Sequence, residues 1–287
     1  MTENTGIVLE GGGFRAIFVA AALEVFHRHH LFFPYAMGVS AGAAYGVSYV
    51  SRQQGRNLET NKYINDKRYC GIKHLLKNGD YFNWNFIYKQ IPEMLLPLDY
   101  NELKNSSTRF YVALTHCETA QTVYLNANTN LPERLCALLS ATSSLPFISK
   151  IKKIDEQPYL DGGISNAIPI EHGFENGCQK LVVVLTRPKE YRKEEDSKTT
   201  NQLYKVFYRK YPELFKLMHE RASRYNKKLT EIEKLTDEGK IFIVRPNEHI
   251  PIGRLENNPD ALQKVYFDAI SEIEQCIIPQ LKQWLQK

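Results

Sequence analysis

Two short strings and one aspartate carry residue types that do chemistry. Residues 38–42 read Gly38-Val39-Ser40-Ala41-Gly42, a G-x-S-x-G string. That spacing suits a serine at the tip of a sharp strand-to-helix turn. A side chain two residues away on either side would collide with neighbouring backbone, so both flanks are glycine. Ser40 would then present its Oγ outward, at the N-terminus of the next helix, where developing negative charge is favoured. Upstream, residues 11–16 read Gly11-Gly12-Gly13-Phe14-Arg15-Ala16. Glycines between a strand and a helix let backbone N–H groups approach a ligand closely. Two functions fit that loop. One is dinucleotide binding through G-x-G-x-x-G/A; the other is an oxyanion hole, in which N–H donors face a developing negative charge. A tight turn that merely needs glycine is the third reading. Dinucleotide binding expects an acidic residue about 20 residues further on, but Leu31-Phe32-Phe33-Pro34-Tyr35-Ala36 contains none.

A nucleophilic serine needs a base. His27, His29 and His30 cluster at a predicted helix end and read as a solvated terminus compatible with the helix dipole. His172 reads as a surface residue, and no histidine has the setting of a triad base. The carboxylate with the best setting is Asp161, in Tyr159-Leu160-Asp161-Gly162-Gly163. Alone it reads as an aspartate that starts a tight turn. Beside the two glycine-rich strings it becomes the candidate base.

These residues need elements to hold them. Short apolar runs at 6–9, 34–39, 110–115, 122–125 and 181–186 read as strands. Helical spacing appears at 16–26, 41–50, 132–141 and 169–176. Alternation of this kind predicts an α/β layered fold with a mostly parallel central sheet flanked by helices. The glycine loop at the first βα turn and Ser40 at the second would then be neighbours at the carboxyl edge of the sheet, where open α/β sheets bind ligands. Only one predicted strand precedes that of the serine, unlike an ordinary α/β-hydrolase. Residues 187–200 read as a polar connection. A helical stripe follows, running from Tyr204 through Leu214, Met218, Tyr225 and Ile232 to Leu235, with Pro212 in a first turn. A late strand at 241–244 and a helix at 260–285 complete a mainly helical extension. The expected organisation is a catalytic domain over 5–190 and an extension over 191–287.

Composition narrows the classes. Hydrophobic residues form 43% and charged residues 24% of the 287, the balance of a globular protein, which excludes disorder and a disulfide scaffold. Five scattered cysteines with no Cys-x-x-Cys suggest no metal knuckle. No uncharged apolar run reaches about 18 residues, and no signal-like leader precedes the first strand, so the expected location is cytoplasmic. No metal and no cofactor is expected. Residues 187–240 hold 15 basic and 10 acidic side chains, the whole formal excess of +5, together with seven aromatics. Such a segment reads either as a solvated helical face or as a contact for a membrane surface or nucleic acid.

Together the Gly-Gly-Gly-Phe-Arg, Gly-Val-Ser-Ala-Gly and Asp-Gly-Gly strings resemble the patatin-like phospholipase family, particularly its bacterial members. The likeness extends to Asp99-Tyr100, Glu118-Thr119, the stretch Ala141 to Pro146, Asn166 to Pro169, and the tail Ile250 to Glu256, over about residues 5–285. The resemblance implies a patatin-like layered fold and a Ser-Asp dyad in place of a triad. Ser40 matches the nucleophile and Asp161 the base. Gly11, Gly12 and Gly13 match the oxyanion-hole glycines, with Arg15 the basic residue after them. Ala16 stands where the family often has glycine. The implied activity is hydrolysis of carboxylic esters of lipids, without a cofactor. In that setting the basic segment is expected to make peripheral membrane contact and not to bind nucleic acid. The rivals are a nucleotide-binding α/β protein and a lipid-surface binder that has lost activity; intact Ser40 and Asp161 argue against the latter.

Overall fold

Strand β1 (Thr5–Leu9, TGIVL) is buried along its whole length. Its side chains alternate between the two faces of a sheet, as a two-residue period requires. Ile7 and Leu9 enter one core and Val8 another. Burial on both faces explains why the strand reads as a continuous apolar run. The structure is a computed structural model and describes residues 2–129, 131–256 and 258–287.

Around β1 lie β2 (Tyr35–Val39), β3 (Arg109–His116), β4 (Thr122–Asn126), β5 (Lys152–Ile154), β6 (Gln157–Asp161), β7 (Lys180–Val184) and β8 (Ile241–Val244). The sheet runs β5-β6-β3-β2-β1-β7-β8, with β4 also paired to β3. Strands β3, β2, β1, β7 and β8 are mutually parallel. Strands β4 and β6 pair antiparallel to β3, and β5 antiparallel to β6. This is the mixed α/β architecture with a largely parallel sheet.

Helices cover both faces. α1 (Ile17–Arg28) and α2 (Ala41–Val50) follow β1 and β2. α1 is buried from Ile17 to Phe26, because the sheet lies on one side and a C-terminal helix on the other. The next stretch, about which the sequence is least explicit, forms α3 (Arg56–Asn61), α4 (Ile72–Asn78), a π-helical segment at Phe86–Leu95 and α5 (Tyr100–Asn105). α6 (Glu133–Thr142) and α7 (Ile170–Glu175) lie near their expected positions.

The helical stripe expected from Tyr204 onward is three helices: α8 (Lys198–Phe207), α9 (Pro212–His219) and α10 (Arg221–Asp237). Pro212 starts α9, where its missing N–H costs nothing. Leu229 and Ile232 of α10 pack with Val8, Met37 and Val183. The final helix is interrupted: α11 (Pro259–Glu272), a π-helical turn at Ile273–Ile277 and α12 (Ile278–Gln286). α11 is the helix that covers α1, through Leu262, Tyr266 and Ile270. Because β8 adds to the same sheet as β1, the C-terminal helical region and the N-terminal part share one core. Among the described residues no helix is long and apolar enough to cross a membrane.

Candidate active site

The turn after β2 is strained where the sequence places its serine. Ser40 has φ 53° and ψ −128°, a backbone conformation costing on the order of 1–3 kcal/mol for a residue with a side chain. The flanking glycines let it exist. A Cβ at Gly38 would lie 2.4 Å from Ala43 Cα, and one at Gly42 would lie 2.6 Å from the carbonyl oxygens of Leu9 and Glu10. Ser40 N–H donates to Thr142 Oγ1 over 2.9 Å, and Thr142 donates to the Ala113 carbonyl over 2.7 Å. One threonine thus ties the turn to β3.

Asp161 ends β6. Register explains how it meets a serine 121 residues away. Val39 of β2 is opposite Ala113 of β3, and Asp161 is opposite Leu114, the next residue. Where β2 leaves β3, β6 takes over. Ser40 Oγ donates to Asp161 Oδ2 over 2.7 Å, and Gly163 N–H donates to Oδ1 over 2.7 Å. Both side chains are nearly closed off from solvent, at 7% and 2% exposure. Burial pushes the Asp161 carboxyl above its ordinary range. The Ser40 hydroxyl, Arg221, the Gly163 N–H and Arg254 each pull it partly back. The counter-charges are therefore Arg221 and Arg254. Arg15, the cation that the sequence puts nearest the glycine loop, is not among them. Its guanidinium is buried and reaches the Ile252 carbonyl at 3.5 Å, with Nε unpartnered. Burial, then repulsion from Arg187 and Arg254, holds its pKa down to about 10.

The glycine loop faces Ser40. A Cβ at Gly11 would lie 2.7 Å from Ser40 Cβ. Gly13 has φ 59°, and a Cβ there would lie 2.4 Å from the Arg254 carbonyl oxygen. Among the described residues, the N–H groups of Gly11, Gly12 and Gly13 have no hydrogen-bond acceptor, whereas Phe14 N–H donates to Arg254 O over 3.3 Å. Beneath the loop, Glu10 accepts from Tyr225 Oη (2.6 Å), Thr186 N–H (2.6 Å) and Thr186 Oγ1 (2.9 Å). Burial raises its pKa, and these three donors oppose the rise.

Two cavities meet at Ser40. One is apolar, lined by Tyr45, Trp84, Tyr88, Ile91, Leu98 and Leu139 among others. The other is polar and contains Asp161, the three loop glycines and several cations. Half of the apolar lining comes from the stretch 51–108, where periodicity marks no element. Thr142, Arg221 and Arg254 were also missed as site residues. Thr142 lies within the quoted stretch Ala141 to Pro146 and Arg254 within the quoted tail Ile250 to Glu256; nothing in the sequence marks Arg221. The histidines line neither cavity, and three of them are less solvated than expected. His27 Nε2 lies 3.1 Å from the Arg52 carbonyl, and His29 bridges Glu274 and Lys282, so these two are partly packed, while His30 is exposed as expected. His172 is enclosed by Tyr35, Tyr111 and Tyr124, with Nδ1 2.7 Å from the Tyr35 hydroxyl. Among the described residues no group of His, Cys, Asp and Glu side chains is arranged to hold a metal ion.

The chain belongs to the patatin-like phospholipase family, whose model it matches over residues 7–173. Residues 211–286 match a second family, a domain of unknown function designated DUF6363. Among curated relatives, the chain is similar to the uncharacterized protein YjjU of Escherichia coli (strain K12). The two are 28% identical over 188 residues, which cover 63% of this chain and 52% of that protein. The chain thus spans about half the length of that relative. Among solved structures it aligns with VipD from Legionella pneumophila at a TM-score of 0.43 and 11% identity, over 93% of this chain and 67% of that one.

Proposed function

We propose that this protein is a serine lipid acyl hydrolase working through a Ser40–Asp161 dyad. The observation that carries the reading is the 2.7 Å contact from Ser40 Oγ to a buried Asp161 carboxylate, inside a family of lipid hydrolases. Ser40 Oγ attacks the ester carbonyl carbon, and its proton passes to Asp161. The N–H groups of the loop Gly11–Gly13, unpaired among the described residues, stabilise the oxyanion. Arg15 adds positive charge behind them. Collapse of the tetrahedral species breaks the ester C–O bond, and the alcohol leaves with the proton from Asp161. Water then attacks the acyl-serine, giving its proton to Asp161, and the carboxylic acid is released as Ser40 recovers its proton. The acyl chain fits the apolar cavity. An aspartate with an ordinary pKa of about 3.9 is a weak base; burial raises Asp161 and makes it a better one. Labelling by a fluorophosphonate probe tests this: wild type should label at Ser40, and Ser40→Ala should neither label nor hydrolyse esters. Full esterase activity in Ser40→Ala would sink the reading.

Peripheral membrane contact belongs to the same proposal. On α8, Val206 and Phe207 are 67% and 65% exposed beside Lys205, Arg209 and Lys210, a pairing of apolar and basic side chains that suits an anionic bilayer. Sedimentation with anionic vesicles should fall when Lys205, Arg209, Lys210 and Lys216 are neutralised; equal sedimentation removes the proposal.

A further inference from the structure

The polar cavity beside Ser40 carries an unbalanced charge. Arg15, Arg187, Lys193, Arg221 and Arg254 line it, against the two carboxylates Glu10 and Asp161. Both carboxylates are occupied, Glu10 by Tyr225 and Thr186 and Asp161 by Ser40 and Gly163. None of the five cations forms an ion pair among the described residues. Four of them are held in place, Arg15 by the Ile252 carbonyl. Arg221 Nε donates to the Gly163 carbonyl over 2.9 Å. The Arg187 guanidinium stacks 4.3 Å over the Tyr191 ring, with Nη1 2.9 Å from His249 Nε2. Lys193 is half-buried; its backbone N–H donates to Asn226 Oδ1 over 2.8 Å, and its ammonium lies 5.5 Å over the Tyr225 ring. Burial, then repulsion from Arg221 and Arg254, brings the Lys193 pKa down to about 8. Asp161 and Glu10 offset only part of the charge of the five cations, and the remaining excess destabilises the protein unless an anion joins it.

We infer that this cavity takes the anionic, phosphate-bearing alcohol half of the lipid ester, through Arg187, Lys193, Arg221 and Arg254. The inference rests on the hydrolase reading above. All four residues lie beyond the 7–173 stretch that matches the family, so the selectivity comes from the rest of the chain. Geometry gives the two halves of the substrate separate places. Gly13, Ser40, Leu145 and Arg254 line both cavities. An ester carbonyl at Ser40 would therefore have its acyl chain among Trp84, Tyr88 and Ile91 and its alcohol among the guanidinium groups. Arginine forks bind phosphate oxygens in pairs. The same cavity repels a quaternary ammonium and offers a neutral glycerol no charged partner.

The test uses one acyl chain on three alcohols in neutral detergent micelles: palmitoyl lysophosphatidate, palmitoyl lysophosphatidylcholine and monopalmitoylglycerol. Wild type should prefer the phosphate monoester by about tenfold or more in kcat/KM. The preference should shrink in Arg187→Gln/Lys193→Gln, chiefly through KM. In parallel, glycerol 3-phosphate and inorganic phosphate are titrated calorimetrically onto Ser40→Ala, with and without Arg187→Gln/Lys193→Gln. Glycerol 3-phosphate should bind more tightly than phosphate, and the double substitution should weaken it. Equal rates on the three esters overturn the inference, even if phosphate binds, because the cavity would then hold a free anion. A preference that survives the double substitution overturns the assignment to these residues. If no ester is hydrolysed, the hydrolase reading fails, and absence of glycerol 3-phosphate binding to Ser40→Ala refutes the anion site separately.

Discussion

Ser40 and Asp161 meet because their strands occupy consecutive stretches of one neighbour, with Val39 opposite Ala113 and Asp161 opposite Leu114. The backbone after Asp161 must then pass directly over β3. A Cβ at Gly162 would lie 2.2 Å from the Ala113 carbonyl oxygen. Gly162→Ala should therefore push Asp161 away from Ser40. We expect a loss of about 1–3 kcal/mol in chemical denaturation and a fall in ester hydrolysis of about 100-fold or more. Wild-type activity in this variant would show that the dyad tolerates a shift in register.

In the proposed mechanism Asp161 sets the pH behaviour. Its folded-state pKa is raised by burial, so kcat/KM should climb with pH along an acidic limb lying above the usual carboxylate value of about 4. The linkage has a definite sign. A raised folded pKa means that the folded protein holds this proton where the unfolded chain has lost it. Stability from this group is therefore present at low pH and lost as pH rises through the interval between the two values. Asp161→Asn, neutral at every pH, should lose activity by on the order of 10³-fold or more while keeping or raising Tm at pH 7 to 8. A Tm several degrees lower would contradict the sign.

Backbone strain at Ser40 separates two variants that lack its hydroxyl. Ser40→Ala and Ser40→Gly both remove the hydroxyl, but only glycine relaxes at φ 53°, ψ −128°. Ser40→Gly should be the more stable by about 1 kcal/mol or more, read from paired urea denaturations. Equal midpoints would mean that the turn holds no such strain.

Tyr225 of α10 touches Glu10 of the first βα turn through a 2.6 Å hydrogen bond. Tyr225→Phe should cost about 1.5–3 kcal/mol, the range for a bond to a charged partner. The cost should diminish as pH falls and Glu10, already raised by burial, takes up a proton. A cost that does not change with pH would indicate lost packing alone.

Much of this was readable in advance, for reasons that particular residues make plain. Strands β1, β2, β3 and β7 are buried on both faces and announce themselves as apolar runs. Gly38, Gly42 and Gly13 stand where a Cβ would meet backbone, so sterics wrote them into the motifs. The hairpin β5–β6 was not legible, because Lys152, Lys153, Asp155 and Glu156 break any alternation. The stripe from Tyr204 to Leu235 keeps helical spacing across two breaks, at Tyr208–Tyr211 and at Glu220, so period alone could not divide it. Arg221 reads as one more charge of the basic segment 187–240, and Arg254 falls in the tail Ile250 to Glu256 with no role attached to it. Their place beside Asp161 follows only from how α10 and the segment after β8 cross the sheet edge.

The arginines of α10 carry one more consequence. Arg221 donates to the Gly163 carbonyl, and Arg224 to those of Ile164 and Ser165, the backbone oxygens just after Asp161. A gene fragment ending after β7 would leave these oxygens unpaired and expose β7 as a bare sheet edge, a template for aggregation. The Ser40–Asp161 pair and this clamp therefore have to be inherited, expressed and engineered together, although two separate family matches cover them.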